Sequence, residues 1–206
     1  TTPFKEEQEI FQALDLGFIP AAQRELPSII NKVANKKSLP APIQLSDIKG
    51  IIHSHSTWSD GIHSIEEMAK AAIAKGYEYL VISDHSKSAF YANGLSAERI
   101  IAQHKEIDAL NKKLAPFVIF KSIESDILND GSLDYPDEIL DLFDIVIASV
   151  HSNLKMTEEK AMMRLLNAVA NPYTSILGHP TGRLLLSRKG YPVDHSSLIE
   201  ACSANN

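Results

Sequence analysis

From residue 50 onward the chain alternates short apolar runs with longer stretches that follow a helical period. The runs Gly50–His55, Tyr79–His85, Phe117–Ile127, Ile145–His151 and Thr174–His179 are rich in Ile and Val and have the length of strands. The stretches between them carry recognisable helix starts. Ser64, with Glu67 three residues on, forms a capping box ahead of Met68–Ala74, and Gly76 closes that helix. Ser96 opens Ala97–Leu114, Pro136 opens a short turn of helix, and Thr157 opens Glu158–Ala170 before Asn171–Pro172 stops it. Asp194 starts a last helix. Strands separated by helices imply parallel βαβ units, closed as a barrel or laid out as an open doubly wound sheet.

Residues 1–49 follow neither pattern. They predict one short helix, with Thr2 as N-cap, Pro3 at the first position and Gly17 beyond its end. A connector punctuated by Pro20, Pro27, Pro40 and Pro42 follows, so the segment reads as a linker ahead of a domain spanning 50–206. Charge agrees with a boundary near Lys49–Gly50. The first 49 residues hold six basic and six acidic side chains, and the entire net charge of −6 falls on the remainder. That acidity argues against a protein that coats DNA nonspecifically. A single cysteine, Cys202, excludes an internal disulfide framework and a cysteine-rich zinc finger, and points to a reducing, cytoplasmic setting. No apolar run reaches the roughly 18 residues of a membrane span.

Composition sharpens the picture most through its eight histidines, none of which lies before residue 50. Four of the five apolar runs end on histidine: His55, His85, His151 and His179. The other carries Glu124 near its C-terminal end. In parallel α/β folds that end of the strands lines the active-site mouth. Five separate segments therefore deliver a metal-type ligand to one face. His53 precedes His55 by two residues, a spacing that points both to the same side of a strand, with Asp60 returning on the following loop. A carboxylate inside an apolar strand, as at Glu124, costs several kcal/mol unless a cation or hydrogen bonds compensate it, and bridging two metals is its best use. Imidazole and carboxylate without thiolate suit two or three Mn or Zn ions, with Fe as a further choice.

Around this set, Arg183 and Lys87 stand where a phosphate would need neutralising, with an ordinary solvated charge as the other reading of each, and Trp58 divides between stacking on a substrate ring and packing at the barrel rim. Asp84 divides equally between orienting an imidazole and capping a helix, and Asp126 reads as a loop cap past the strand end. His63, His104 and His195 read as surface residues.

The phrases His53–Gly61 (HSHSTWSDG), Ser83–Ser86 (SDHS), Ile123–Ser125 (IES), Ala148–Ser152 (ASVHS) and Leu177–Arg183 (LGHPTGR) together resemble the PHP (polymerase and histidinol phosphatase) metallo-phosphoesterases. The likeness is greatest to the PHP domain that follows the polymerase part of bacterial family X DNA polymerases. It covers residues 50–206, and residues 1–49 resemble the end of the polymerase part and its connector. The resemblance implies a distorted (β/α)7 barrel of TIM-like type. It also implies three metal positions: His53, His55 and Glu124 at one, Glu124 with His151 and His179 at a second, Asp60 with His85 at the third. Glu124 and Arg183 become the residues closest to the chemistry. The implied substrate is a DNA 3′ end, cut by a 3′–5′ exonuclease, or else a small phosphate ester of the histidinol phosphate type. A non-catalytic module supporting the upstream polymerase is a third reading.

Three departures from the family pattern stand out. A later Asp-x-His pair of ligands is missing, so about five of seven strands are expected and the chain reads as a piece of a longer one, weak in catalysis alone. Its open barrel edge would favour a homodimer. Ile51 and Ile52 precede the HxH where an acid and an apolar residue are usual, and Ser122 and Ser125 stand where Gly and Val are more common.

Overall fold

The computed structural model describes residues 4–34 and 39–205. The chain divides into two compact units, residues 1–48 and 49–206.

In the first unit, α1 (Glu7–Ala13) and α2 (Ser28–Ala34) are joined by a segment containing a 3-10 turn at Ala21–Gln23. A second 3-10 turn, Leu45–Asp47, is closed by a capping box between Gln44 and Asp47. Arg24 organises this unit. Its Nε donates to the Ile19 carbonyl at 2.8 Å and its Nη1 to Glu7 at 2.6 Å. The guanidinium also lies 5.2 Å from the Phe11 ring and 5.7 Å from Phe18. The predicted cap at Thr2–Pro3 lies outside the described residues, and α1 begins at Glu7 with Glu6 as N-cap. The expectation of a single helix is corrected by α2, which the prolines obscured. Pro27 stands immediately before its first residue, where a fixed φ favours helix entry.

The second unit contains β1 (Gly50–Ser54), β2 (Tyr79–His85), β3 (Val118–Asp126), β4 (Ile145–Ser149) and β5 (Ile176–Leu177). Between and after them come α3 (Ile65–Ala74), α4 (Ala97–Leu114), α5 (Asp137–Leu140), α6 (Glu158–Val169) and α7 (His195–Ala204). Ser64, Ser96, Thr157 and Asp194 cap their helices as the sequence predicts, each side chain accepting a backbone N–H of the first turn. All strand pairs are parallel and the spatial order is β1-β2-β3-β4-β5. A doubly wound sheet reverses its order part-way. Sequential winding without a reversal is barrel geometry, so of the two layouts the barrel applies, with five strands of an incomplete TIM-like barrel present.

The sheet is strongly curled. Laid flat, the outer strands of five would stand about 19 Å apart at roughly 4.8 Å per step. The rings of His53 on β1 and His179 just past β5 are 6.3 Å apart. Beneath the helices, Ile82, Ile119 and Ile123 of the central strands are fully buried, packed with Ile65, Ile107 and Leu165. That apolar layer fixes the strands and leaves their C-terminal ends to carry polar side chains.

Candidate metal centre

Only His85 ends its strand. His55, His151 and His179 lie one or two residues beyond theirs, on the loops that leave the sheet. Strand β1 holds one extra residue. Ile51 pairs with Leu80 and Ser54 with Ile82, so three steps on β1 match two on β2, and His53 takes a positive φ of 64°. This bulge replaces the simple i, i+2 alternation expected for His53 and His55. Both imidazoles still converge on β3, where Glu124 pairs in register with His85.

Glu124 is 2% exposed and is ringed by five imidazoles. Its Oε1 lies 3.0 Å from His53 Nε2, 3.0 Å from His179 Nε2 and 3.2 Å from His151 Nε2. Its Oε2 lies 3.2 Å from His85 Nδ1 and 3.5 Å from His55 Nε2. Asp60 reaches in from the loop after β1, with one oxygen 3.7 Å from His55 Nδ1 and the other 3.7 Å from His85 Nε2. Three groups of donors each draw within 4.8 Å: His53, His55 and Glu124; His55, Asp60 and His85; His85, Glu124 and His151. His179 lies outside these three groups: it contacts Glu124, its ring is 5.2 Å from that of His151, and its side chain is 46% exposed.

Burial by itself would raise the Glu124 carboxyl. Hydrogen bonds from His151, His179 and His53 outweigh it and hold the group far below the usual carboxylate range. Burial opposes charge on His151 too, yet Asp126 and Glu124 raise its pKa to about 9. His85 is lowered, chiefly by burial. One carboxylate oxygen facing three imidazole nitrogens exceeds its two lone pairs, whereas a cation between them would suit every donor. His55 Nδ1 and His85 Nδ1 are buried without a hydrogen-bond partner. Donors bound at about 2.1 Å to one tetrahedral ion stand about 3.4 Å apart, and the separations here run from 3.0 to 3.7 Å. The donor set fits a divalent metal centre.

The supporting residues differ from expectation. Asp126 is the last residue of β3, not a loop cap, and its carboxylate meets His151 Nδ1 while accepting from Ser88 Oγ at 3.0 Å. It thereby turns Nε2 of His151 toward Glu124. Asp84 neither orients an imidazole nor caps a helix. Fully buried, it accepts from Ser56 N–H at 2.7 Å, Ser56 Oγ at 2.7 Å, Ser59 Oγ at 2.5 Å and Gln103 Nε2 at 2.6 Å. It ties down the loop that carries His55 and Asp60. Arg164 of α6, missed in the sequence, is fully buried and donates to the carbonyls of Ile127, Leu128 and Ser152, joining the loops after β3 and β4.

Trp58 turns inward: its Nε1 donates to Glu106 at 2.8 Å and its ring packs with the core. Lys87 is exposed, its Nζ 5.4 Å from the Tyr135 ring. Arg183 is exposed on the loop after His179 and makes no ion pair among the described residues. His63 and His195 are exposed, but the surface reading of His104 is corrected. His104 is 7% exposed and lies edge-on to Phe143, with ring centroids 4.9 Å apart.

Comparison with known proteins now bears on this geometry. The family model described as "PHP domain" matches residues 52–177, more than half of the chain and every strand but the first two residues of β1. The chain belongs to the PHP family. A PHP-containing stretch of 203 residues is 47% identical to "DNA polymerase/3'-5' exonuclease PolX" of Bacillus subtilis, covering 98% of this chain and 35% of that protein. A "Probable phosphatase" of Caldanaerobacter subterraneus is 31% identical over 154 residues, 72% of this chain and 56% of its own length. The chain thus spans between about a third and just over half of these relatives. Among solved structures, histidinol phosphate phosphatase from Lactococcus lactis, complexed with zinc, L-histidinol and phosphate, aligns over 60% of this chain and 54% of its own. Its sequence identity is 21% and its TM-score 0.39. Among the described residues of this PHP chain, no helix is long and apolar enough to cross a membrane.

Proposed function

We propose that residues 50–206 are a metal-dependent phosphoesterase acting on DNA 3′ ends as a 3′–5′ exonuclease, with residues 1–49 the connector from a polymerase part. The carrying observation is Glu124, a buried carboxylate between five imidazoles at the C-terminal mouth of a parallel sheet. Similarity to the Bacillus subtilis protein supports DNA as the substrate.

His53, His55 and Glu124 would hold one ion, and His55, Asp60 and His85 another. Glu124, His151 and His85 would hold a further one, with His179 beside Glu124 as an added donor. Mn or Zn would suit these donors, and divalent cations there would supply Lewis acidity at phosphoryl oxygens and lower the pKa of water. The chain's own work is positional. Asp126 fixes which His151 nitrogen faces the centre, and Asp84 holds the His55–Asp60 loop. Arg183, exposed and without an ion pair among the described residues, neutralises the substrate phosphate, and Lys87 adds charge at the rim.

The test is a 3′-recessed and a single-stranded oligonucleotide incubated with chelator-stripped protein, then with Mn or Zn restored. Metal-dependent shortening from the 3′ end is expected, at a low rate, and Glu124→Gln abolishes it. Undiminished cutting in chelator would overturn the metal reading. Hydrolysis of histidinol phosphate with oligonucleotides untouched would favour a second reading, a small-molecule phosphatase, which the Caldanaerobacter relative's name supports.

A further inference from the structure

The loop after β2 carries two adjacent aromatic residues, Phe90 and Tyr91, that the metal centre leaves unexplained. They are 87% and 74% exposed, while Ala89, Ala92 and Leu95 around them are buried. A single exposed aromatic needs no explanation. Two side by side forgo burial of roughly 150–250 Å² each, and Tyr91 stands beside the centre. The Tyr91 ring centroid lies 6.2 Å from that of His85, with the planes inclined at 59°.

The scaffold under the rings is fixed. Ala89 N–H donates to the Ser86 carbonyl at 3.0 Å, Ala92 N–H to Ala89 at 3.0 Å, and Leu95 N–H to His85 at 2.9 Å. Asn93 takes a left-handed φ of 54°, and its Nδ2 donates to the Trp58 carbonyl at 3.3 Å. At Gly94 a Cβ would fall 1.8 Å from the Ser86 carbonyl oxygen, so no side chain fits and the turn keeps one shape. A backbone already fixed under the rings leaves only side-chain freedom to be lost on binding.

We infer that Tyr91, with Phe90 beside it, is a stacking platform for the unpaired nucleobase of the terminal nucleotide whose phosphate enters the metal centre. The inference rests on the DNA reading above. Its separate support is that Tyr91 stands one imidazole away from Glu124, a span that a nucleotide covers from phosphate to base. An aromatic face accepts any base, which suits an enzyme that must release successive nucleotides regardless of sequence. Trp58, for which stacking and packing were both open in the sequence, packs against the core.

The test uses the whole chain loaded with Mn and a single-stranded oligonucleotide bearing 2-aminopurine at its 3′ end. The last linkage is a phosphorothioate, so that the strand is bound and not cut. Wild-type protein should quench the 2-aminopurine. Tyr91→Ala should abolish the quench and weaken Kd by about 5- to 150-fold, Phe90→Ala should weaken it less, and Tyr91→Trp should keep both. Absence of binding, binding without quenching, or full quenching by Tyr91→Ala overturns the platform. The nuclease reading fails separately: a quenched oligonucleotide with an ordinary phosphodiester that is never shortened on adding metal removes the reaction and leaves the stacking site.

Discussion

Asp84 gives the most direct test of how the loop holding His55 and Asp60 is kept in place. Its carboxylate accepts from one donor fixed by the backbone, the Ser56 N–H, from the Gln103 side-chain amide, and from two hydroxyls that can rotate. Asp84→Ala leaves the Ser56 N–H and the Gln103 amide buried and unpaired. At about 1–3 kcal/mol for each orphaned group, and more where the lost partner was charged, the loss should be roughly 3–5 kcal/mol. For a unit of this size that is a fall in Tm of about 8–16 °C. Asp84→Asn is different. Gln103 Oε1 is buried without a partner, so a flipped Gln103 amide can accept from the new Asn NH2, while Oδ1 still accepts from Ser56 N–H. What remains is the halving of charge-assisted bonds to neutral ones, about 1–2 kcal/mol. Thermal and urea unfolding of the three proteins, read with metal stoichiometry by mass spectrometry, checks this. If Ala and Asn cost the same, the charge alone matters and the donor bookkeeping is wrong.

Asp126→Asn should leave the fold intact and lower metal affinity by about 10- to 100-fold, since His151 loses the group that orients it; competition with a metallochromic dye measures it. Arg164→Met should cost about 3–4 kcal/mol in urea unfolding, because three loop carbonyls lose their donor. A loss under 1 kcal/mol would mean those carbonyls find water. Buried His104 has its pKa lowered from 6.5 to about 4, first by burial and then by Lys121. The folded state therefore holds it neutral: its contribution is complete above pH 6.5 and is lost as pH falls toward 4, by about 3 kcal/mol. His104→Gln should flatten that decline, and urea midpoints at pH 7 and 4.5 will show whether it does.

The alternation of apolar runs and capped helices carried most of the architecture in the sequence, because Ser64, Ser96, Thr157 and Asp194 are caps whose chemistry is local. The convergence of His55, His85, His151 and His179 was legible for a similar reason: parallel winding sends every strand end to one rim. What escaped depended on partners far along the chain. The role of Asp84 needs Ser56, Ser59 and Gln103, none of them near it in sequence. Asp126 could have been found from its place two residues after Glu124, on the same face. Arg164 shares the apolar stripe of α6 with Ala161, Leu165 and Ala168, and His104 that of α4 with Ile100 and Ile107; a polar residue on such a stripe must be buried and satisfied. The bulge at His53 left no mark in composition at all.

That bulge also ties the centre to the number of residues in β1 and not only to their kinds. The extra residue lies between Ile51 and Ser54, so removing one residue there would restore an even register against Leu80–Ile82 and turn the side chains beyond it to the other face. A one-residue deletion in this strand would therefore take an imidazole away from Glu124 while leaving every ligand residue in the sequence.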